Sequence, residues 1–221
     1  MRIFLCGGGS GNQVSSAYTK FSEIIDHTKP LLYIPIAMEI EKMDDCNKWI
    51  REELKEYDIT DIDMVRVFKE LDEKNLDDYC AIFIGGGNTY KLLFELKLTR
   101  FYNKLKEFIN NGGIVFGGSA GAIILGKDIK SCGCDDENDV GLVNTQGLNV
   151  LSDFSFICHY TNRDDDKNEY NTQYLTKLSN EMRIIALPEE DTIYIGESGI
   201  EVFGEKPYYI FDNERITTIE K

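Results

Sequence analysis

A serine hydroxyl attacks a carbonyl only when its position and a neighbouring base make it do so. Ser119 stands in Gly117-Gly118-Ser119-Ala120-Gly121, between the apolar runs Ile114-Val115-Phe116 and Ala122-Ile123-Ile124-Leu125. Gly-x-Ser-x-Gly between a strand and a helix is the pattern of a nucleophile elbow, a strained turn that exposes the serine. A phosphate-binding or merely tight glycine turn has the same spacing, so the partners must decide. The chain has two histidines. His27 falls at the polar end of a predicted helix, beside Thr28-Lys29-Pro30, whereas His159 follows the apolar run Phe154-Ser155-Phe156-Ile157-Cys158. If Ser119 uses a histidine base, it is His159 by elimination. A carboxylate should then fix the imidazole tautomer, and Asp139, Glu189 and Glu190 are the candidates. Two backbone N–H groups must receive the oxyanion: that of Ala120, and one from Gly86 or Gly87 in the loop ending at Asn88.

The elements that would position these groups alternate. Apolar strands are expected at 2–6, 31–36, 63–68, 79–84 and, ahead of the glycine turn at 117–121, in the stretch that begins at 112; helices are expected at 13–26, 40–57, 89–96 and 98–110. Strands apolar on both faces alternating with helices predict a doubly wound, mostly parallel α/β sheet. Its ligands bind beyond the carboxyl ends of the strands. Three glycine-rich loops should converge there, after residue 6, after residue 84 and at 117–121; for the first of them a role as a strand-end turn suffices. Residues 126–147 read as an irregular acidic segment, 172–181 as a helix and 184–187 as a strand. From Thr192 onward, short alternating strands predict a small C-terminal antiparallel meander. Residues 1–221 are expected to form a single domain.

Composition narrows the function. Of the 221 residues 42% are hydrophobic and 29% charged, and the formal net charge is −15. That charge opposes nucleic acid and anionic membrane surfaces as partners. No apolar run reaches the length of a membrane span, and the short N-terminal run reads as a strand rather than a signal peptide. Six scattered cysteines suit a reduced, cytoplasmic protein. Cys132-Gly133-Cys134, with Cys158-His159 downstream, is a poor match to zinc-ligand spacing, so neither a metal nor another cofactor is expected.

Several segments carry a resemblance over nearly the full length: Ile84-Gly85-Gly86-Gly87-Asn88-Thr89, Gly118-Ser119-Ala120-Gly121-Ala122, Asn138-Asp139, Gln146-Gly147-Leu148, His159-Tyr160-Thr161-Asn162 and Leu187-Pro188-Glu189. In their order and spacing the chain resembles the peptidase E and cyanophycinase family of serine peptidases, whose fold is like that of class I glutamine amidotransferases. The resemblance implies Ser119 as nucleophile, His159 as base and, in the peptidase E pattern, Asp139 as acid. The cyanophycinase pattern implies Glu190 instead, but the segment through Gln146-Gly147 is more similar to peptidase E, which makes Asp139 the expected acid and Glu190 the alternative. Gly86 to Asn88 match the oxyanion-hole segment, with Asn88 beside the substrate. The implied activity is hydrolysis of small peptides, Asp-X dipeptides in peptidase E, by a monomer or homodimer. One departure is clear: the arginine that peptidase E carries past its histidine has no counterpart in Arg163-Asp164-Asp165-Asp166-Lys167, where Arg163 is the nearest substitute. A glutaminase would carry cysteine at the elbow. An esterase would carry a His-Gly-Gly-Gly motif and a histidine near the chain end. An esterase or amidase using the same serine, or a non-catalytic binding or regulatory protein, stands as the alternative.

Overall fold

The protein was analysed as a computed structural model, which describes residues 1–220. Five strands run parallel: β1 (Arg2–Cys6), β2 (Leu31–Ile34), β3 (Ile62–Met64), β4 (Ala81–Ile84) and β5 (Ile114–Gly118). Alternation along them sends Phe4, Tyr33, Phe83 and Phe116 to one face and Ile3, Leu5, Ile34, Ile84 and Val115 to the other. Both sets are buried because helices cover both faces. The aromatic face is covered by α1 (Ser15–Ile24) through Ala17, Tyr18 and Phe21, and by α2 (Met43–Leu54) through Cys46, Ile50 and Leu54. The aliphatic face packs on α3 (Thr89–Lys97), α4 (Phe101–Asn110) and the short α5 (Ala120–Ile123).

Beyond α5 the chain builds a second sheet. β6 (Phe154–Ile157) lies parallel to β7 (Arg183–Ala186), and α6 (Asp165–Leu178) connects them. This helix starts earlier than the expected 172, because Asp164 caps it by accepting from the Lys167 N–H. The antiparallel strands expected at the C-terminus form, and they divide between the two sheets. β8 (Thr192–Gly196) and β9 (Gly199–Phe203) extend the large sheet beside β1, giving the order β3-β2-β4-β5-β1-β8-β9. β10 (Tyr208–Asp212) and β11 (Arg215–Ile219) extend the small one, giving β11-β10-β7-β6. A period-2 pattern specifies which side of a strand is apolar, but not which sheet edge it joins.

Candidate active site

The turn between β5 and α5 holds Ser119 at φ 52°, ψ −114°, outside the ordinary regions for an L-residue. Close backbone approach explains the flanking glycines. A Cβ on Gly121 would lie 2.2 Å from the Ile84 carbonyl oxygen, and one on Gly117 would lie 2.6 Å from that of Gly121. Strand and helix can meet at this angle only without side chains there. Ala120, buried, opens α5, where N–H groups have no acceptor within the helix. Gly86 faces it across the elbow: a Cβ there would sit 3.2 Å from the Ser119 Cβ.

β6 delivers His159, whose own backbone is left-handed at φ 58°. Its N–H donates to the Gly7 carbonyl at 2.9 Å, which ties the small sheet to the loop after β1. The imidazole Nε2 lies 2.8 Å from Ser119 Oγ, and Nδ1 lies 2.7 Å from Glu189 Oε1. A carboxylate can only accept, so Nδ1 carries the proton and Nε2 presents its lone pair to the serine hydroxyl. Glu189 follows β7 through Leu187 and Pro188. Its N–H donates to Asn162 Oδ1 at 2.9 Å, and its carbonyl accepts from the Gly9 N–H at 2.9 Å.

The carboxylate that meets the imidazole is therefore neither of the two that the resemblance implies. Asp139 is an exposed residue in a turn, and Glu190 turns away to accept from Asn162 Nδ2 at 3.3 Å and to line a separate hollow with Asn12 and Lys206. Glu189 and Glu190 are the central residues of a turn closed by the Asp191 N–H on the Pro188 carbonyl at 3.2 Å, and it is Glu189 that faces the histidine. The loop after β1 also has more to do than turn the chain. Gly8, at φ +109°, lies flat against the imidazole, and a Cβ there would be 2.2 Å from His159 Cε1.

A cavity of about 460 Å³ opens from Ser119 and His159 along Gly8–Ser10 and Gly86–Gly87. Toward α1 and α2 it borders Met38 and Trp49, both partly exposed, and the buried rings of Tyr18, Tyr33, Phe83 and Phe116. Beneath the elbow, burial pushes the Cys6 and Cys158 thiols up, Cys158 strongly. Both stay protonated and are poor nucleophiles beside Ser119. No group of three or more side chains suited to a metal ion occurs among the described residues.

Residues 3–203 match the model of peptidase family S51. The chain belongs to that family. It is thus a serine-type peptidase, a hydrolase. Among relatives of this S51 peptidase, a peptidase E of Nostoc sp. is 27% identical over 83% of this chain and 76% of its own length. A peptidase E of Shewanella putrefaciens is 31% identical over 63% of the chain, and the match spans 60% of that protein. Among solved structures, a Listeria monocytogenes EGD-e protein provisionally assigned as a peptidase E superposes with a TM-score of 0.74 at 25% identity, covering 92% of this chain and 98% of that one. A peptidase from an acI-B1 Actinobacterium shares the fold, with a TM-score of 0.74 at 18% identity over 99% of this chain and 93% of its own.

Two further residues expected at the substrate stand elsewhere in this S51 peptidase. Asn88 is the N-cap of α3: its Oδ1 accepts from the Lys91 N–H, and its Nδ2 donates to the Glu137 carbonyl. Both ends of the amide are engaged, and the residue is absent from the cavity wall. Arg163 ion-pairs with Asp135 at 3.6 Å, and Lys167 reaches the same carboxylate at 3.4 Å. That cluster fastens α6 to the acidic segment. Asn162, which holds Glu189 by its backbone, stood in the sequence only as the last residue of the segment His159-Tyr160-Thr161-Asn162, with no role attached to it.

Proposed function

We propose that this S51 peptidase hydrolyses small peptides through Ser119, His159 and Glu189. The observation that carries the reading is the unbroken line from Ser119 Oγ to His159 Nε2 and from His159 Nδ1 to Glu189 Oε1, at 2.8 and 2.7 Å. His159 takes the hydroxyl proton as Oγ bonds to the scissile carbonyl carbon, and Glu189 stabilises the imidazolium that results. The oxyanion lies between the N–H of Ala120 and those of Gly86 and Gly87. Collapse of the tetrahedral species expels the amine, which leaves with the proton from His159. Water, deprotonated by the same imidazole, then releases the acid and restores Ser119.

A cavity of about 460 Å³ is of the size that takes a small ligand, which supports short peptides as substrates. Aspartyl specificity would call for a cation beside the scissile bond. The lysine on the cavity wall, Lys42, is exposed and stands three residues from Asp45, and Arg163 is engaged by Asp135. The reading therefore carries no requirement for an acidic residue. All six cysteines are free, which suits a reducing compartment and favours the cytoplasm. No helix among the described residues is long and apolar enough to cross a membrane. We take the working form to be a monomer or homodimer.

A fluorophosphonate probe tests the mechanism directly. Wild type should be labelled at Ser119 and Ser119→Ala should not. Equal labelling of the two would remove Ser119 from the reaction.

A further inference from the structure

Charge complementarity selects a ligand only through charged groups that their own chain leaves free. Along α2 nearly all are taken. Asp44 pairs with Arg66 at 2.8 Å and Lys48 with Glu52 at 4.0 Å. Arg51 donates to the Ile62 carbonyl at 2.9 Å, and Glu53 accepts the Gly11 N–H at 2.7 Å. The remaining charged side chain of the helix, Asp45, has no ion pair or hydrogen bond among the described residues. The same holds for the side chain of Lys42, at the N-cap.

Among the described residues, Lys42 and Asp45 are also the two of formal charge that border the cavity at Ser119. With Cys46 and Trp49 they fall at positions 42, 45, 46 and 49, the spacing of one helix face. Both are exposed, unlike the packed rings of Tyr18, Tyr33, Phe83 and Phe116, which belong to the core. Cys46, on the same face, registers both charges: burial raises its thiol, Asp45 raises it further and Lys42 draws it down. Opposite charges three residues apart on a helix ordinarily stabilise each other by pairing; here no pair forms. Cβ atoms at that spacing stand about 5–6 Å apart. The ammonium and carboxylate of an extended dipeptide are separated by a similar distance, roughly 6 Å, since successive Cα atoms lie about 3.8 Å apart.

We propose that Lys42 and Asp45 select the substrate by its two ends. Asp45 meets the α-ammonium of the residue that acylates Ser119, and Lys42 meets the α-carboxylate of the residue that leaves. The preferred substrates are then dipeptides with both termini free, because a longer peptide sets an uncharged amide where one of the two charges belongs. This rests on the reading of Ser119 as the nucleophile. The formal charge of −15 opposes the approach of a carboxylate, and Lys42 supplies the local cation that offsets it.

The dipeptide that wild type cleaves best, its C-terminal amide and its N-acetyl derivative differ by one charge at a time. For wild type, kcat/KM should fall about tenfold on either blocking. Lys42→Met should abolish the preference for acid over amide and keep that for the free amine, and Lys42→Arg should restore the first. Asp45→Asn should do the reverse, losing only the preference for the free amine. Both residues are exposed, so neither substitution removes a core contact. A labelled wild type that cleaves no dipeptide, or preferences unchanged in Lys42→Met and Asp45→Asn, would overturn the proposal. Fluorophosphonate labelling of the same samples keeps the two readings apart: a labelled enzyme indifferent to blocked ends loses only the end selection, whereas an unlabelled one loses the nucleophile as well.

Trp49, the only tryptophan of the chain, supplies a readout independent of turnover, since it borders the same cavity. In Ser119→Ala its emission should report the free dipeptide with a Kd about tenfold below that of the amide. Adding Lys42→Met should bring the two values together. Equal affinities in Ser119→Ala alone would also overturn the proposal.

Discussion

The two sheets contribute to the site in different currencies. Apart from Ser119, the seven-stranded sheet gives mainly backbone: the elbow, the Gly86-Gly87 loop and the Gly7–Gly9 loop, all at the carboxyl ends of parallel strands. The four-stranded sheet gives side chains, His159 from the end of β6 and Glu189 from the loop after β7. A short seam joins the two contributions. His159 N–H donates to the Gly7 carbonyl, Gly9 N–H donates to that of Glu189, and Gly7 N–H donates to that of Asp191. Ser119 is thus held by packing within one sheet, while its hydrogen bond to His159 depends on registration between two.

The largest effects should come from the reacting side chains themselves. Ser119→Ala removes the bond-forming oxygen and should lower kcat by about 10⁶-fold, measured with a dipeptide substrate. Glu189→Gln should cost about 10⁴-fold. The reason is the tautomer: a glutamine amide can donate to Nδ1, which moves the imidazole proton to Nε2 and faces it toward the serine. Glu190→Gln and Asp139→Asn should each remain within about threefold of wild type, since neither carboxylate reaches the ring. A large loss in Asp139→Asn with a small one in Glu189→Gln would reverse this assignment.

Next comes the seam. Gly8→Ala places a methyl 2.2 Å from His159 Cε1 and does so at φ +109°, so the imidazole must move. A displacement of about 1 Å at a catalytic group lowers rate by roughly 100-fold, and kcat should fall by that order. Gly11 provides the control. It is also left-handed, at φ +54°, but a Cβ there meets nothing within 4 Å. Gly11→Ala should cost about 1 kcal/mol of stability in a denaturant melt and leave kcat near wild type. If both variants lose activity alike, backbone strain rather than contact with the histidine is responsible.

The same division explains what could be read without a structure. The strand–turn–helix at Ser119 is a local matter of glycine spacing, and the five parallel strands announce themselves by apolar runs bounded by turns. His159 was reachable because the chain offers only two histidines. The carboxylate that meets His159 was not. Asp139, Glu189 and Glu190 are all carboxylates, and choosing among them requires knowing which way a loop residue points after β7. The role of Gly8 was hidden for a related reason. Its neighbour His159 is remote in sequence, and a glycine pressed against a ring looks, in sequence, like any strand-end glycine. Asn88 and Arg163 went the other way: side chains suited to binding a substrate were already committed to a helix cap and an ion pair.

Asn162 offers the smallest and most discriminating perturbation of the seam. Its Oδ1 accepts the Glu189 N–H at 2.9 Å, while its Nδ2 reaches Glu190 at 3.3 Å. The residue touches neither serine nor imidazole through these bonds, so it acts by holding the Glu189 backbone where the carboxylate meets Nδ1. Asn162→Ala should therefore lower kcat about tenfold while KM for a dipeptide stays nearly constant, because the cavity wall does not include it. Asn162→Asp keeps an acceptor for the Glu189 N–H and should recover part of that loss, less whatever the added negative charge beside Glu190 costs. A rise in KM at unchanged kcat would instead place Asn162 on the substrate. It would also mean that the small sheet supplies binding as well as activation.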